Sequence, residues 1–189
     1  MQPTKDRLLD AALERFATRG VAATTLDEIR AHAQASVGSV YHAFPNGKED
    51  IAAELYVEVL GRYQQAFLAE LRRHADAESG VKAIVHLHVR WCVRHPAEAR
   101  FLHSGRDAAP HNRLTDLNRP FFAGVMAWWA THARYAAVRD FPLELVHALW
   151  LGPAEQLVAH WLAGRAKRPT PTTRRLLADA AWSALRSTT

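Results

Sequence analysis

Apolar positions along the 189-residue chain recur at three- and four-residue intervals, and no stretch of any length alternates at two-residue spacing. The first period lines one face of a helix and the second one face of a strand, so the pattern predicts an all-α fold. Leu9, Leu13 and Phe16 mark the inner face of a helix over 3–18, with Pro3 in the first turn, where its missing N–H costs little. Short helices follow from Thr25 and from Ser36. A long one over 46–74 carries Ile51, Leu55, Val59 and Tyr63 inward, with Asn46 as its cap and Glu49 as the box partner three residues on. A break at 76–80 precedes a helix over 81–94, which stops before Pro96. Pro96 opens a shorter helix to about 103, a polar loop over 105–112 leads to a helix over 114–133, and the last helix follows Pro171 to 186. Between them, Pro142 opens a helix to 162 that should bend at Gly152-Pro153, because proline removes a backbone donor. Nine helices result, with no internal repeat and no low-complexity segment.

The segment from Thr24 to Ile51, TTLDEIRAHAQASVGSVYHAFPNGKEDI, carries the most information. Thr25-Leu26-Asp27-Glu28 has the form of a capping box, in which hydroxyl and carboxylate satisfy free backbone N–H groups reciprocally. Leu26, Ile29 and Ala33 then recur at helical spacing. Ser36 can cap the next helix, where Val37, Val40, Tyr41 and Phe44 form a stripe. That arrangement leaves Gly38, Ser39 and His42 as a small outward surface. A helix-turn-helix presents this kind of surface to a DNA major groove.

These residues resemble the DNA-binding domain of TetR-family transcriptional repressors. The match comprises Phe16 and Gly20 closing the first helix, the Thr24-Thr25 pair, Ile29, Ala33, Ser36-x-Gly38-Ser39-x-Tyr41-x-x-Phe44, and Lys48-Glu49 opening a long helix. Arg30 stands where the family usually has Ala and Gln34 where it usually has Gly, and the 45–50 segment has one residue more than the commoner form. If the turn at Gln34 is left-handed, its side chain costs about 1 kcal/mol. The resemblance implies a three-helix DNA-binding domain over 1–50 and a larger helical ligand-binding and dimerisation domain over 51–189. It further implies that Tyr41 gives its hydroxyl to a DNA phosphate and that Lys48 contacts another. For Phe44, plain packing is the better account.

Charge tempers the DNA reading. The net charge is +5, yet residues 1–50 hold six Lys/Arg against seven Asp/Glu, so the excess lies beyond the proposed DNA-binding segment. Phosphate contacts would then fall largely to helix N-termini and hydroxyls. Cys92 is the only cysteine, which leaves neither an intrachain disulfide nor a cysteine-based zinc site. The amphipathic N-terminus is unlike a signal peptide, and no apolar run approaches spanning length, so the expected compartment is the cytoplasm. Among the eleven histidines, His86 and His88 do not share a helix face, and the one E-x-x-H, Glu144 to His147, lacks the second copy a di-iron bundle needs. Neither a metal nor any other cofactor is expected.

All six tryptophans follow the DNA-binding segment. Core filling accounts for about half of them. Helical phase places Trp91 and Trp129, with His88, Phe122 and Met126, where they can wall a pocket for a small hydrophobic or aromatic effector. Leu143, Val146, Trp150, Leu157 and Trp161 follow a near-heptad stripe, matched by Leu177, Ala181 and Leu185 on the last helix. Two copies of that pair can form a four-helix bundle about a two-fold axis, the alternative being that both stripes face their own core.

The expected function is a repressor that binds a palindromic double-stranded operator as a homodimer and is released by its effector, with no membrane partner. Its DNA-binding residues are Thr25, Ser36, Val37, Gly38, Ser39, Tyr41, His42 and Lys48. One alternative is a helical small-molecule-binding protein that keeps the scaffold without specific DNA binding. The other, an enzyme, lacks any Ser/His/Asp order, Gly-rich phosphate loop or paired metal motif; no catalytic residue is expected.

Overall fold

Thr4–Arg19 forms α1, and in the computed structural model, which describes residues 3–105 and 108–188, nine further helices follow it. They are α2 Leu26–His32, α3 Val37–Ala43, α4 Lys48–Leu71, α5 Ala77–Arg94, α6 Pro96–Ser104, α7 His111–Arg134, α8 Leu143–Trp150, α9 Gly152–Leu162 and α10 Pro171–Leu185. Among the described residues there is no strand, only one isolated antiparallel bridge between Val138 and Arg186. The chain divides into two compact units, residues 1–62 with 96–117 and residues 63–95 with 118–189.

The first unit is organised around α1. Leu8, Leu9, Ala12 and Phe16 are buried on its inner face, and α2, α3 and α6 pack against it. Phe16 stacks on Phe101 of α6 at 5.6 Å, and Tyr56 of α4 meets the same ring edge-on. Ile29, Val40, Phe44, Ile51 and Leu55 complete this core.

The second unit joins α5 and α10 along most of their lengths, with α8 and α9 against them. Its interior is aromatic. Phe67 touches Tyr63, Phe121 and Trp150, and Trp150 touches Trp128 and Trp129, with ring centroids 5.2–6.3 Å apart.

The sequence expectations for helix ends fail in three places. Asn46 does not cap α4 with Glu49. Its backbone and side-chain N–H groups both go to Asp50, at 2.8 and 3.1 Å, and the Gly47 carbonyl accepts the first helical bond. The expected break at 76–80 is helix from Ala77, because Asp76 accepts from the Ser79 N–H as N-cap. Gly80 is therefore inside α5, where a Cβ would lie 2.4 Å from Cζ2 of Trp128; close packing, and no turn, demands the glycine. Finally, the bent helix over 142–162 is two helices. Leu151 ends α8, and Pro153 sits in the first turn of α9, raising the count from nine to ten.

Candidate nucleic-acid interface

Thr25 caps α2 as the motif requires. Its hydroxyl accepts from the Glu28 N–H at 3.2 Å, and its own N–H donates to the Glu28 carboxylate at 2.8 Å. Those bonds, with Arg19 paired to the same carboxylate, hold Glu28 down at about 2. Ser36 caps α3 by accepting from the Ser39 N–H at 3.2 Å, while the Ser39 hydroxyl donates to the Ser36 carbonyl at 2.8 Å. Between the helices Gln34 sits at φ 52°, the left-handed region that favours glycine. The hydrogen bond from Ala35 N–H to the Arg30 carbonyl, 3.0 Å, closes this turn over it.

This turn fixes which side of α3 is covered. Val40 and Phe44 are buried, whereas Ser36, Gly38 and His42 are exposed and Ser39 is partly so. Val37 is 55 % exposed and Tyr41 51 %, two large apolar side chains left in the open one turn apart. A Cβ on Gly38 would meet nothing within 4 Å. Packing inside the chain thus gives no reason for a glycine there, although glycine within a helix costs about 1 kcal/mol relative to alanine.

Lys48 occupies a position the sequence did not foresee. Its ammonium donates to the carbonyls of Val21 and Thr24, at 3.1 and 3.0 Å, tying the start of α4 to the turn before α2. Two of its three donors are committed, and one is left for another acceptor. Thr24 is itself buried and donates to the Gly20 carbonyl at 2.8 Å, so the Thr24-Thr25 pair splits into an internal tie and an exposed cap. No feature of the sequence marks a lysine as a brace of loop carbonyls.

The expected effector residues fall into two groups of the second unit. His88 and Trp91 both meet Tyr63, with ring centroids 5.8 and 5.0 Å away. The Tyr63 hydroxyl lies 2.8 Å from His88 Nδ1, and Cys92 Sγ lies 3.8 Å from His88 Nε2. Burial pushes His88 down to about 4 and the Cys92 thiol up to about 12, and lifts the Tyr63 phenol well above its usual range. Trp129 is fully buried against Trp150 and Trp128, and its indole N–H has no hydrogen-bond partner. Phe122, on an exposed position, touches Phe121, and Met126 is partly exposed. Phe67 links the Tyr63 and Trp150 groups into one cluster. Helical phase alone could have flagged Tyr63, which faces inward with Phe67, but not its bond to His88.

The expected dimer stripe also divides. Val146, Trp150, Ala181 and Leu185 are buried within the protomer, and the Trp150 indole donates to the Val81 carbonyl at 2.9 Å. A side chain that fills its own core has no surface to offer a second copy, so these four are core residues. Leu143, Leu157, Trp161 and Leu177 remain partly exposed, and Leu145 and Leu176 on the same helices are exposed. No group of three or more metal-ligating side chains occurs among the described residues, and no described helix is long and apolar enough to cross a membrane.

The capped α2, the left-handed turn and the open face of α3 define a helix-turn-helix protein with an all-helical second unit. Residues 8–55 match the family described as bacterial regulatory proteins, tetR family, so that stretch carries the family's N-terminal domain. The chain is 41 % identical over 51 residues to the uncharacterised HTH-type transcriptional regulator YxaF of Bacillus subtilis, covering 27 % of each chain. It is 29 % identical over 82 residues to the HTH-type transcriptional regulator LmrA of the same organism, covering 43 % of this chain and 44 % of LmrA. Each match thus spans less than half of the relative. Whole-chain likeness comes from solved structures. A TetR family transcription regulator from Marinobacter aquaeolei superposes with TM-score 0.85 at 19 % identity, covering 98 % of this chain and 96 % of that one. The regulator FadR of Bacillus subtilis, solved with stearoyl-CoA, gives 0.73 at 16 % identity, covering 94 % and 95 %. At such identities the likeness is one of fold.

Proposed function

We propose that this protein is a transcriptional repressor that binds a palindromic operator as a homodimer and leaves it when a small hydrophobic or aromatic effector binds the second unit. One observation carries the reading: Val37, Gly38 and Tyr41 are kept open on a seven-residue helix whose other face is buried, with no use for them inside the chain. An α-helix fits the major groove, and the exposed N-terminal end of α3 would meet base edges there. Ser36, Ser39 and His42 would read bases or nearby phosphates; Thr25, Tyr41 and the remaining donor of Lys48 would hold the backbone. The match of residues 8–55 to that family favours a regulator over an enzyme.

Effector binding and DNA binding would oppose one another, and by linkage each must weaken the other by the same factor. Stearoyl-CoA, which FadR of Bacillus subtilis holds, is a sensible first compound in an effector screen. The dimer would use Leu143, Leu157, Trp161 and Leu177.

Fluorescence anisotropy with DNA from upstream of the protein's own gene tests the reading. Saturable binding that unrelated DNA competes away poorly supports it. Equal affinity for every duplex would leave the alternative, a small-molecule-binding protein that keeps the scaffold without specific DNA binding. Trp161→Glu and Leu177→Glu should give helical monomers that lose operator binding. A variant still dimeric by light scattering places these residues outside the interface.

A further inference from the structure

The positive charge that the first fifty residues lack is concentrated in the second unit, where α5 and α10 run side by side. From Arg165 to Ala178 the chain holds Arg165, Lys167, Arg168, Arg174 and Arg175 with no acidic residue. Two of these, Arg174 and Arg175, follow the Thr170 cap within the first turns of α10, which has no acid in its first turn. Cations there oppose the helix dipole, so they do not serve the helix. On α5, Lys82, His86 and Arg90 recur at four-residue spacing, so the neighbouring Arg174 and Arg175 face a stripe of basic groups.

Register makes the imbalance specific. Lys82 pairs with Asp179 across the two helices at 2.8 Å and with Glu78 at 2.7 Å. One turn further along α5, His86 lies instead in the field of Arg90, Arg174 and Arg175, with Asp179 the one opposing charge. Burial first, then those arginines, lowers the imidazole below its ordinary value. Asp179 is engaged at contact distance by Lys82 and reaches Arg175 only through longer-range attraction. Arg90, Arg174 and Arg175 form no ion pair with any described residue. Arg174 stands out further. Its Nε–H is shielded from solvent and unpartnered, as are those of Arg7 and Arg15, but each of those two has another nitrogen hydrogen-bonded, to Thr4 and to His32. Arg174 has none.

We infer that Arg90, Arg174 and Arg175, with His86, form a binding site for a phosphate group between α5 and α10, separate from the aromatic cluster. Guanidinium forks match tetrahedral oxyanions in a way that ammonium groups do not, and the register set by the Lys82–Asp179 pair brings Arg174 and Arg175 of α10 near His86, with Arg90 one turn further along α5. A bound phosphate would supply the missing acceptor for Arg174 and relieve the like-charge crowding along the stripe. The group can arrive as inorganic phosphate or as a phosphate ester of a larger molecule.

The test follows the His86 Cε1–H signal by NMR against pH in the full-length protein, at constant ionic strength set with sodium chloride. His86→Asn assigns the signal. Adding millimolar inorganic phosphate, or glycerol 3-phosphate in a parallel arm, should raise the His86 pKa by about 1 unit, since a bound anion favours the charged imidazole. A response to both probes identifies a site for free phosphate, and a response to the ester alone a site for a phosphorylated compound. Arg174→Gln, checked as folded by circular dichroism, should abolish the shift, and Arg175→Gln should reduce it. An equal shift in chloride alone, no shift with either probe, or a shift that survives Arg174→Gln would overturn the site.

Discussion

Val37 and Tyr41 on α3, and Trp129 and Trp150 on α7 and α8, are all large apolar side chains on helices, yet the molecule treats them oppositely. The first pair stands in solvent and the second is wholly enclosed. The same opposition holds for polar groups. Around α2 and α3 they cap helix ends at the surface, through Thr25, Glu28, Ser36 and Ser39. In the second unit they are taken inside, as Tyr63, His88 and Gln64, the last bonded to Asn118 at 2.7 Å. One region thus keeps large apolar side chains and helix caps at its surface over a core of its own around Phe16 and Phe101. The other holds its stability in a dense aromatic interior.

The contrast is broken most sharply by truncation. Trp150→Ala should cost about 3–5 kcal/mol, because it removes a buried ring together with the bond to the Val81 carbonyl. Val37→Ala should leave stability within about 0.5 kcal/mol while weakening DNA binding. Urea unfolding at two protein concentrations measures both. A Trp150→Ala effect that vanished on dilution would return that ring to a dimer interface.

Acid separates the regions next. Above pH 6.5 the His88 imidazole is neutral in the folded and unfolded chain alike. As pH falls below that value, the unfolded chain takes up a proton that the folded chain, with its pKa of about 4, refuses. Stability should therefore fall by up to about 3 kcal/mol between pH 6.5 and 4, and level off below for this group. His88→Leu should lose that slope in a pH series of thermal melts. Glu28, also shifted down, from 4.5 to about 2, gives the head its own loss at lower pH, between those two values.

On the DNA side, changing Ser39 or His42 should alter preference among operators by about 1–3 kcal/mol at a directly read base pair, whereas Tyr41→Phe should weaken all sequences alike. Equal, sequence-blind losses from all three would remove the division of labour along α3. Lys48→Ala should cost about 1–2 kcal/mol of stability through its two lost carbonyl bonds. It should also lower the salt slope of binding by about 1. An unchanged slope would make Lys48 a brace and no phosphate ligand. One substitution should bring a gain. Gln34→Gly should relieve the left-handed strain at φ 52° and raise the melting point by an amount worth up to about 1 kcal/mol.

The two regions were also unequally legible in the sequence. Caps and turns are set by residues three or four apart, so Thr25, Ser36 and the cost at Gln34 could be read from the chain itself. The turn before α4 departs from the expected cap because Asn46 bonds Asp50 and not Glu49, and either acid lies within its reach along the chain. In the second unit, the decisive contacts join residues far apart in sequence, Tyr63 with His88 or Trp150 with Val81. Helical phase says that Trp150 and Leu185 face inward somewhere; it does not say whether the neighbour belongs to the same chain or another. Gly80 shows the same limit, since only Trp128 explains it.

Cys92 turns the aromatic interior into something that can be timed. The thiol is buried beside His88 and held at about 12, so at neutral pH almost none of it is thiolate and a thiol reagent finds it closed. Labelling must then wait for the second unit to open. At high reagent concentration the labelling rate becomes the opening rate itself, and at low concentration it reports how often the open form is populated. The lone cysteine serves as a clock already installed in the chain. A compound that binds among these rings should slow it in proportion to its occupancy.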